Sequence, residues 1–172
     1  VLNNLSPYLV ERGELAEAQR LLEQAIEHQS VALRSNERHP VYRLFLANHY
    51  RSLAGVFVRQ GDHAKAARTA GEAPRLYPKK WEESVRAAEY LAGCVPLAEK
   101  DAALPEDRRR SQARAYGDQA VARLREAIDQ GCPNIARTAK ASDFDPLRSR
   151  ADFQELISGM RQRKPEAVKQ SP

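Results

Sequence analysis

The chain has few of the residues that cross-linked, membrane-spanning or β-rich proteins need. Of its 172 residues, two are cysteines, one is tryptophan and 6% are aromatic. Two thiols in a helical chain favour reduced, packed side chains over a disulfide. No apolar run reaches about 18 residues, so we expect no membrane span. Stretches that alternate between apolar and polar residues are also missing, which argues against a sheet and favours an all-α fold.

Sequence patterns that carry catalysis or hold metals are missing as well. The four histidines stand apart, with no cysteine or carboxylate at the spacing of metal ligands. No serine stands in a context that supplies a base and an oxyanion hole. Asp143, Asp145 and Asp152 lack the Gly and the final Glu of a calcium loop, so we expect them in caps and turns. We therefore expect no catalytic residue, no metal site and no cofactor.

The net charge of +5 is unevenly distributed. Residues 161–172 hold four basic residues and one acidic residue, which contribute 4 − 1 = +3 and leave 5 − 3 = +2 for the body. A nucleic-acid module usually shows a basic stripe with aromatic platforms. Here the basic residues of the body alternate with acidic ones, so we expect no nucleic-acid partner. The segment 161–172 is predicted to be a disordered tail.

The most regular stretch is residues 47–78, which is typical of a helix–turn–helix unit. Apolar and small residues recur on one face of a first helix, a glycine interrupts the pattern, and small residues line a second helix. The positions that mark this unit are Tyr50, Leu53, Ala54, Phe57, Gly61, Ala66, Ala73 and Pro78. Asp62 can cap the second helix. Antiparallel helices approach closely only where short side chains meet, so we expect Ala54 to face Ala66.

This spacing resembles the tetratricopeptide repeat (TPR), a unit of 34 residues. The aromatic, the leucine and the small residue of the first helix, the turn glycine and the final proline all fall in register. The resemblance implies an α-solenoid of stacked hairpins and a protein-interaction scaffold. It does not name a ligand.

Weaker copies of the unit flank residues 47–78. The predicted organisation is about three repeats, a cap that covers the last of them, and the tail. Its boundaries are roughly 1–39, 40–79 and 80–135 for the repeats and 136–160 for the cap. In the first copy, Gly13 aligns with Gly61, and the distance of 61 − 13 = 48 residues is absorbed by a long second helix from Leu15 to Leu33.

The other helix limits follow from breakers and spacing. In the second copy, Gly71 weakens the second helix and Pro74 is predicted to end it. In the third copy, the first helix runs roughly from Trp81 to Lys100, and residues 101–110 form an exposed loop or an extra turn. Its partner helix is predicted from about Ser111 to Gln130.

Four stretches sharpen the resemblance: HPVYRLFLANHYRSLA, GDHAKAARTAGEAPRLYP, YLAGCVPLAEKD and SDFDPLRSRADFQELI. Together they resemble the C-terminal repeat region of planctomycete-type bacterial serine/threonine protein kinases, from about residue 15 to 160. The resemblance implies a cytoplasmic signalling protein in which a kinase domain precedes partner-recruiting repeats. The glycine-rich loop, the His-Arg-Asp and the Asp-Phe-Gly of a kinase are not in this sequence. The chain opens at Val1 within a helical pattern, so we expect a non-enzymatic fragment of a longer protein.

In the repeat that this chain resembles, the first helices line a concave groove. The residues that the register predicts for this partner-binding groove are Asn48, Arg51, Val58, Arg59, Tyr90 and Leu97. Further groove positions expected to be exposed are Asn3, Val10, Gly55, Ala87, Leu91 and Cys94. A protein or peptide with acidic and aliphatic residues would suit this mixture. The basic residues of a two-carboxylate clamp are missing, so we do not expect that activity.

A second functional class stays open beside the scaffold. The exposed helix faces could instead pair with another copy, which would make the chain a structural or self-association module and a homo-oligomer. Arg148 and Arg150 have two interpretations as well. They could contact an acidic partner, but arginines in such a loop more often pin it through carbonyls or carboxylates, and we expect the second role.

Overall fold

The structure, a computed structural model, describes the backbone of residues 2–162 and the side chains of residues 6–159. The tail predicted at 161–172 lies outside these residues except for the backbone of its first two. Residues 2–162 form nine α-helices and one 3-10 segment, with no strand. The prediction of an all-α fold is therefore confirmed for the described part of the chain.

The helices follow one another with short connections. Their bounds are α1 (Leu2–Glu11), α2 (Leu15–Ser35), α3 (Pro40–Gln60), α4 (His63–Ala70), α5 (Glu72–Leu76), α6 (Trp81–Glu99), α7 (Glu106–Asp129), α8 (Ile135–Thr138) and α9 (Ala151–Gln162). The 3-10 segment (Ser142–Leu147) stands between α8 and α9.

The central hairpin, α3 and α4, forms as its residues predict. Gly61 ends α3 with φ 79°, a conformation that glycine adopts without steric cost. The Asp62 side chain then accepts a hydrogen bond from the Lys65 N–H at 3.0 Å and caps α4. Ala54 and Ala66 are both fully buried, which fits the tight helix contact expected at these positions. The two-residue connection makes α3 and α4 antiparallel neighbours.

Ala66→Leu is expected to destabilise the protein by about 1–3 kcal/mol, because the added side chain must enter a filled contact between helices. Ala64, two residues earlier on α4, is exposed. The same change there, Ala64→Leu, should alter the free energy of unfolding by no more than about 0.5 kcal/mol. Urea denaturation of both variants measures the difference. Equal midpoints would show that the assigned buried face of α4 is wrong.

The helices pack mainly against their sequence neighbours. α2 packs on α1 and α3, α4 packs on α3 and α6, and α6 packs on α7. α3 and α6 also touch, and they run parallel: a Cβ on Gly55 would lie 3.7 Å from Tyr90, and one on Gly93 would lie 3.8 Å from Val58. Both pairs are separated by the same distance along the chain, 90 − 55 = 35 and 93 − 58 = 35 residues. α6 therefore runs beside α3 in the same direction, at a shift of 35 residues.

Two predicted limits differ from the structure. α7 begins at Glu106 rather than near Ser111, because Pro105 stands at its N-cap and Glu106 and Asp107 occupy its first turn, where carboxylates stabilise the helix dipole. The charge run 106–110 is thus helical, which confirms the extra turn among the two alternatives predicted for residues 101–110. Pro74 does not end α4. The helix stops at Ala70, and Pro74 lies within the short α5 that follows.

The segment after α7 packs back onto the hairpin of α6 and α7. The 3-10 segment contacts α6, and α8 and α9 contact α7. Ile135, Phe144, Leu147 and Phe153 are buried there, and the two phenylalanine rings stack with centroids 6.2 Å apart. These residues cover apolar surface that the last hairpin would otherwise expose.

Arg148 and Arg150 hold this segment in place, as expected. Arg148 pairs with Asp145 at 2.6 Å and donates to the carbonyl of Lys140 at 2.9 Å. Arg150 pairs with Asp152 at 2.8 Å and with Asp118 of α7. Its guanidinium lies close to Gly117, where a Cβ would come within 2.9 Å of the guanidinium carbon. A larger residue at position 117 would therefore require the Arg150 side chain to move.

Candidate partner-binding surfaces

The structure places most of the predicted groove residues along the contact between α3 and α6, where they are largely engaged. Arg51 of α3 pairs with Glu83 of α6 at 2.6 Å, and it also donates to the Asn48 side chain. The exposed fractions of the Arg51 and Glu83 side chains are 19% and 9%. Arg51 is therefore part of an internal ion pair and does not present a free charge to an acidic partner, contrary to the prediction.

Tyr90 and Val58 also serve the helix contact. Each is half-buried, Tyr90 against Gly55 and Val58 against Gly93. Burial raises the pKa of the Tyr90 hydroxyl above its ordinary value. Tyr90 and Val58 thus show only part of their surface on this face, while Arg59 is exposed and donates to the Val10 carbonyl at 3.2 Å.

Three further positions predicted to be exposed are buried. Ala87, Leu91 and Cys94 are at most 4% exposed. The reason is that α6 touches α3, α4, α7 and the 3-10 segment, so little of its surface is left for a groove. Burial raises the pKa of the Cys94 thiol to about 12. Cys94 and Cys132 are both buried, as expected for packed side chains.

The sequence interpretation missed an exposed apolar patch at the start of α3. Because the parallel register sets α6 35 residues after α3, the first residue of α6 is level with position 81 − 35 = 46. Residues 40–45 of α3 extend past that level. Val41, Leu44 and Phe45 are 41–43% exposed there, and we call these three residues the α3 overhang.

The α3 overhang continues the face that the groove prediction identified. Val41, Leu44 and Asn48 are spaced three and four apart, so they share one face of the helix with Arg51. The signal was present in the sequence as PVYRLF, an apolar stretch that precedes the first repeat-marking residue, Tyr50. The repeat register does not mark these residues, because they precede the unit at 47–78.

A second surface feature is a cleft of about 1070 Å³ between α4, α7 and the connection before α7. Leu97, predicted for the groove, lines this cleft instead of the α3 face. The lining also includes Asp62, His63, Arg68, Arg75, Lys100, Asp101, Leu104, Gln112, Tyr116, Gln119 and Arg123.

His63 joins the walls of this cleft. It is 7% exposed, with Nδ1 2.8 Å from the Tyr116 hydroxyl of α7 and Nε2 3.1 Å from the Asp101 carboxylate. The other Asp101 oxygen accepts a hydrogen bond from the Ala103 N–H at 2.9 Å. The bonds from Ala103 and His63 hold the pKa of Asp101 below its ordinary value. The start of α4, the connection before α7, and α7 itself are therefore tied together at one point.

Comparison of the chain with protein-family models, curated proteins and solved structures finds no match. None of the helices that the structure describes is both long and apolar enough to cross a membrane. Among the same residues, no three histidine, cysteine or carboxylate side chains gather in a metal-binding arrangement.

Proposed function

We propose that this chain is a non-catalytic protein–protein interaction scaffold built from about three TPR-like repeats. The observation that carries the proposal is the α3 overhang, three large apolar side chains exposed side by side on one helix. Single exposed apolar residues are ordinary, but a contiguous group marks a surface that another protein can cover. The parallel arrangement of α3 and α6 at a 35-residue shift supports the repeat architecture.

The partner in this proposal is a protein segment with aliphatic residues that cover Val41, Leu44 and Phe45. Asn48 follows on the same face and can orient the partner's backbone, while the exposed Arg59 can attract an acidic residue further along α3. Apolar anchors beside a few polar groups are the usual composition of a binding hot spot.

The wider role in the proposal comes from the sequence resemblance. We propose that the scaffold recruits partners for a cytoplasmic bacterial serine/threonine protein kinase. Nothing in the geometry of residues 2–162 bears on the kinase itself, so this part rests on the four stretches that resemble such proteins.

Self-association is the second candidate, and the same patch favours it, because two overhangs could cover each other in a symmetric dimer. Sedimentation velocity across a wide concentration range separates the candidates. A concentration-dependent dimer that Leu44→Glu abolishes would assign the patch to a second copy, whereas a monomer throughout would leave it free for a partner.

The scaffold proposal is tested with Leu44→Glu in a quantitative capture experiment on lysate of the source cells. Captured proteins are identified by mass spectrometry, and the affinity of the leading candidate is then measured with purified protein. We expect Leu44→Glu to weaken that affinity by at least about tenfold, since it places a charge within an apolar contact.

Val31→Glu is the matched control. Val31 is 53% exposed on α2, and Gln29, two residues earlier, reaches the Tyr42 carbonyl of α3 at 3.1 Å. Val31 lies roughly 200° further around the helix, so it points away from α3. Its substitution should leave binding unchanged. If both variants bind the candidate as tightly as the native chain, the α3 overhang is not the binding surface.

A further inference from the structure

We propose that the cleft between α4 and α7 is a second binding site, which takes an extended acidic peptide segment. This site is separate from the α3 overhang and does not depend on it. It is lined by side chains of the second helices of two successive hairpins, whereas the overhang belongs to a first helix.

The first observation that supports this site is the charge of the residues that line the cleft. Its lining includes four cations, Arg68, Arg75, Lys100 and Arg123, against the carboxylates of Asp62 and Asp101, which gives 4 − 2 = +2. Two of these cations are already paired with carboxylates outside the lining, Arg75 with Glu72 at 2.6 Å and Arg123 with Glu126 at 2.7 Å. In the part of the chain that the structure describes, Arg68 and Lys100 are exposed and form no ion pair. These two cations are available to a ligand.

The two carboxylates of the cleft are already engaged by the protein. Asp62 accepts from the Lys65 N–H at 3.0 Å and pairs with its ammonium group at 3.0 Å. Asp101 is bonded to Ala103 and His63. Their charge is thus directed into local contacts, while part of the cationic charge faces the open cleft. A ligand with several carboxylates complements this arrangement.

The dimensions favour a peptide over a single small anion. The lining residues of α7 run from Gln112 to Arg123, a distance of 123 − 112 = 11 residues, or roughly 16 Å along a helix. An extended peptide of about five residues has that length. The four cations belong to different elements: Arg68 to α4, Arg75 to α5, Lys100 to the connection after α6 and Arg123 to α7.

The remaining lining suits a peptide backbone. Gln112 and Gln119 are seven residues apart, so their amides lie on one face of α7 and can both donate to and accept from a main chain. Leu97 and Leu104 offer apolar surface between the charges. The hydrogen bonds of His63 to Tyr116 and Asp101 hold the walls at a set separation, which lowers the ordering cost of binding.

The test uses the full chain and a fluorescein-labelled peptide, Glu-Glu-Leu-Glu-Glu-Leu, followed by fluorescence anisotropy. The double variant Arg68→Glu/Lys100→Glu is expected to weaken binding by at least about tenfold, because it removes the two free cations and adds repulsion. Both positions are exposed, so the helical fold should persist, and circular dichroism checks this.

The matched control is Lys79→Glu/Lys140→Glu, which makes the same change in net charge at two exposed lysines outside the cleft. We expect it to alter the affinity by less than about twofold. Equal weakening by the two double variants would mean that net charge alone attracts the peptide, and the site would be rejected.

Two competitors decide the ligand class. Inorganic phosphate and a single-stranded oligonucleotide are added to the peptide complex at matched ionic strength. We expect neither to displace the peptide beyond the effect of salt. Displacement by phosphate would identify a site for one small anion, and tighter binding of the oligonucleotide would identify a nucleic-acid surface. Either result overturns the peptide proposal.

Discussion

Phe144→Ala is expected to lower the free energy of unfolding by about 3–5 kcal/mol. Phe144 is fully buried in the 3-10 segment, and its ring stacks on Phe153 of α9. Removing it leaves a cavity between this segment and α6, because the surrounding helices can close only part of the space. Urea denaturation followed by circular dichroism measures the loss.

Phe45→Ala is the matched control, since it makes the same change at a phenylalanine that is 41% exposed. We expect a loss below about 1 kcal/mol, because less apolar surface returns to water and alanine is the better helix former. Losses of the same size in the two variants would mean that the segment after α7 adds no more stability than a surface ring.

Hydrogen exchange on Phe144→Ala distinguishes a repeat array from one cooperative unit. In an array each hairpin depends on its neighbours, so the loss should appear first in α6 and α7, while the amides of α2 keep their protection. A uniform loss of protection from α2 to α9 would contradict the repeat architecture. This experiment therefore tests the TPR-like part of the proposal independently of any partner.

The local features of the fold could be predicted because they depend on residues close in sequence. Gly61 and Asp62 define the turn between α3 and α4 through backbone conformation and capping, and both act within a few residues. Periodicity likewise identified the buried face of α4, where Ala66 has no exposed surface. These signals can be interpreted without knowing which other elements each helix contacts.

The exposed face could not be predicted in the same way, because exposure depends on distant elements. Ala87, Leu91 and Cys94 fall on groove positions by register, yet α6 is surrounded on several sides and buries them. The 3-10 segment that closes one of those sides is more than 40 residues further along the chain, as 142 − 99 = 43 shows. The periodicity of a helix does not indicate which distant segments will cover its faces.

The ion pair between two helices could not be predicted from the sequence either. Arg51 and Glu83 are 83 − 51 = 32 residues apart, and they meet only because α3 and α6 run parallel. In the sequence, Arg51 and Glu83 stand on two separate helical faces. Each of these faces is expected to be in contact with solvent. The geometry converts Arg51 from a candidate contact for a partner into a link between two hairpins.

Arg51→Glu is accordingly expected to destabilise the protein by about 3–5 kcal/mol, as breaking a largely buried ion pair does. The variant leaves Glu83 without its cation and sets a second carboxylate beside it. Arg59→Glu makes the same substitution at an exposed arginine on α3, and it should cost only about 1–2 kcal/mol, through the lost hydrogen bond to Val10 and a carboxylate in the last turn of the helix. Thermal unfolding of the two variants gives the comparison.

The charge swap Arg51→Glu/Glu83→Arg completes a double-mutant cycle. It restores an ion pair between α3 and α6, so we expect it to recover a substantial part of the stability that Arg51→Glu loses. If Arg51→Glu is as stable as Arg59→Glu, the ion pair contributes nothing and Arg51 returns to the set of free groove residues. If the large loss is found, a failure of Arg51→Glu to bind a partner reports unfolding, and only exposed positions such as Leu44 and Arg59 can test the binding surface.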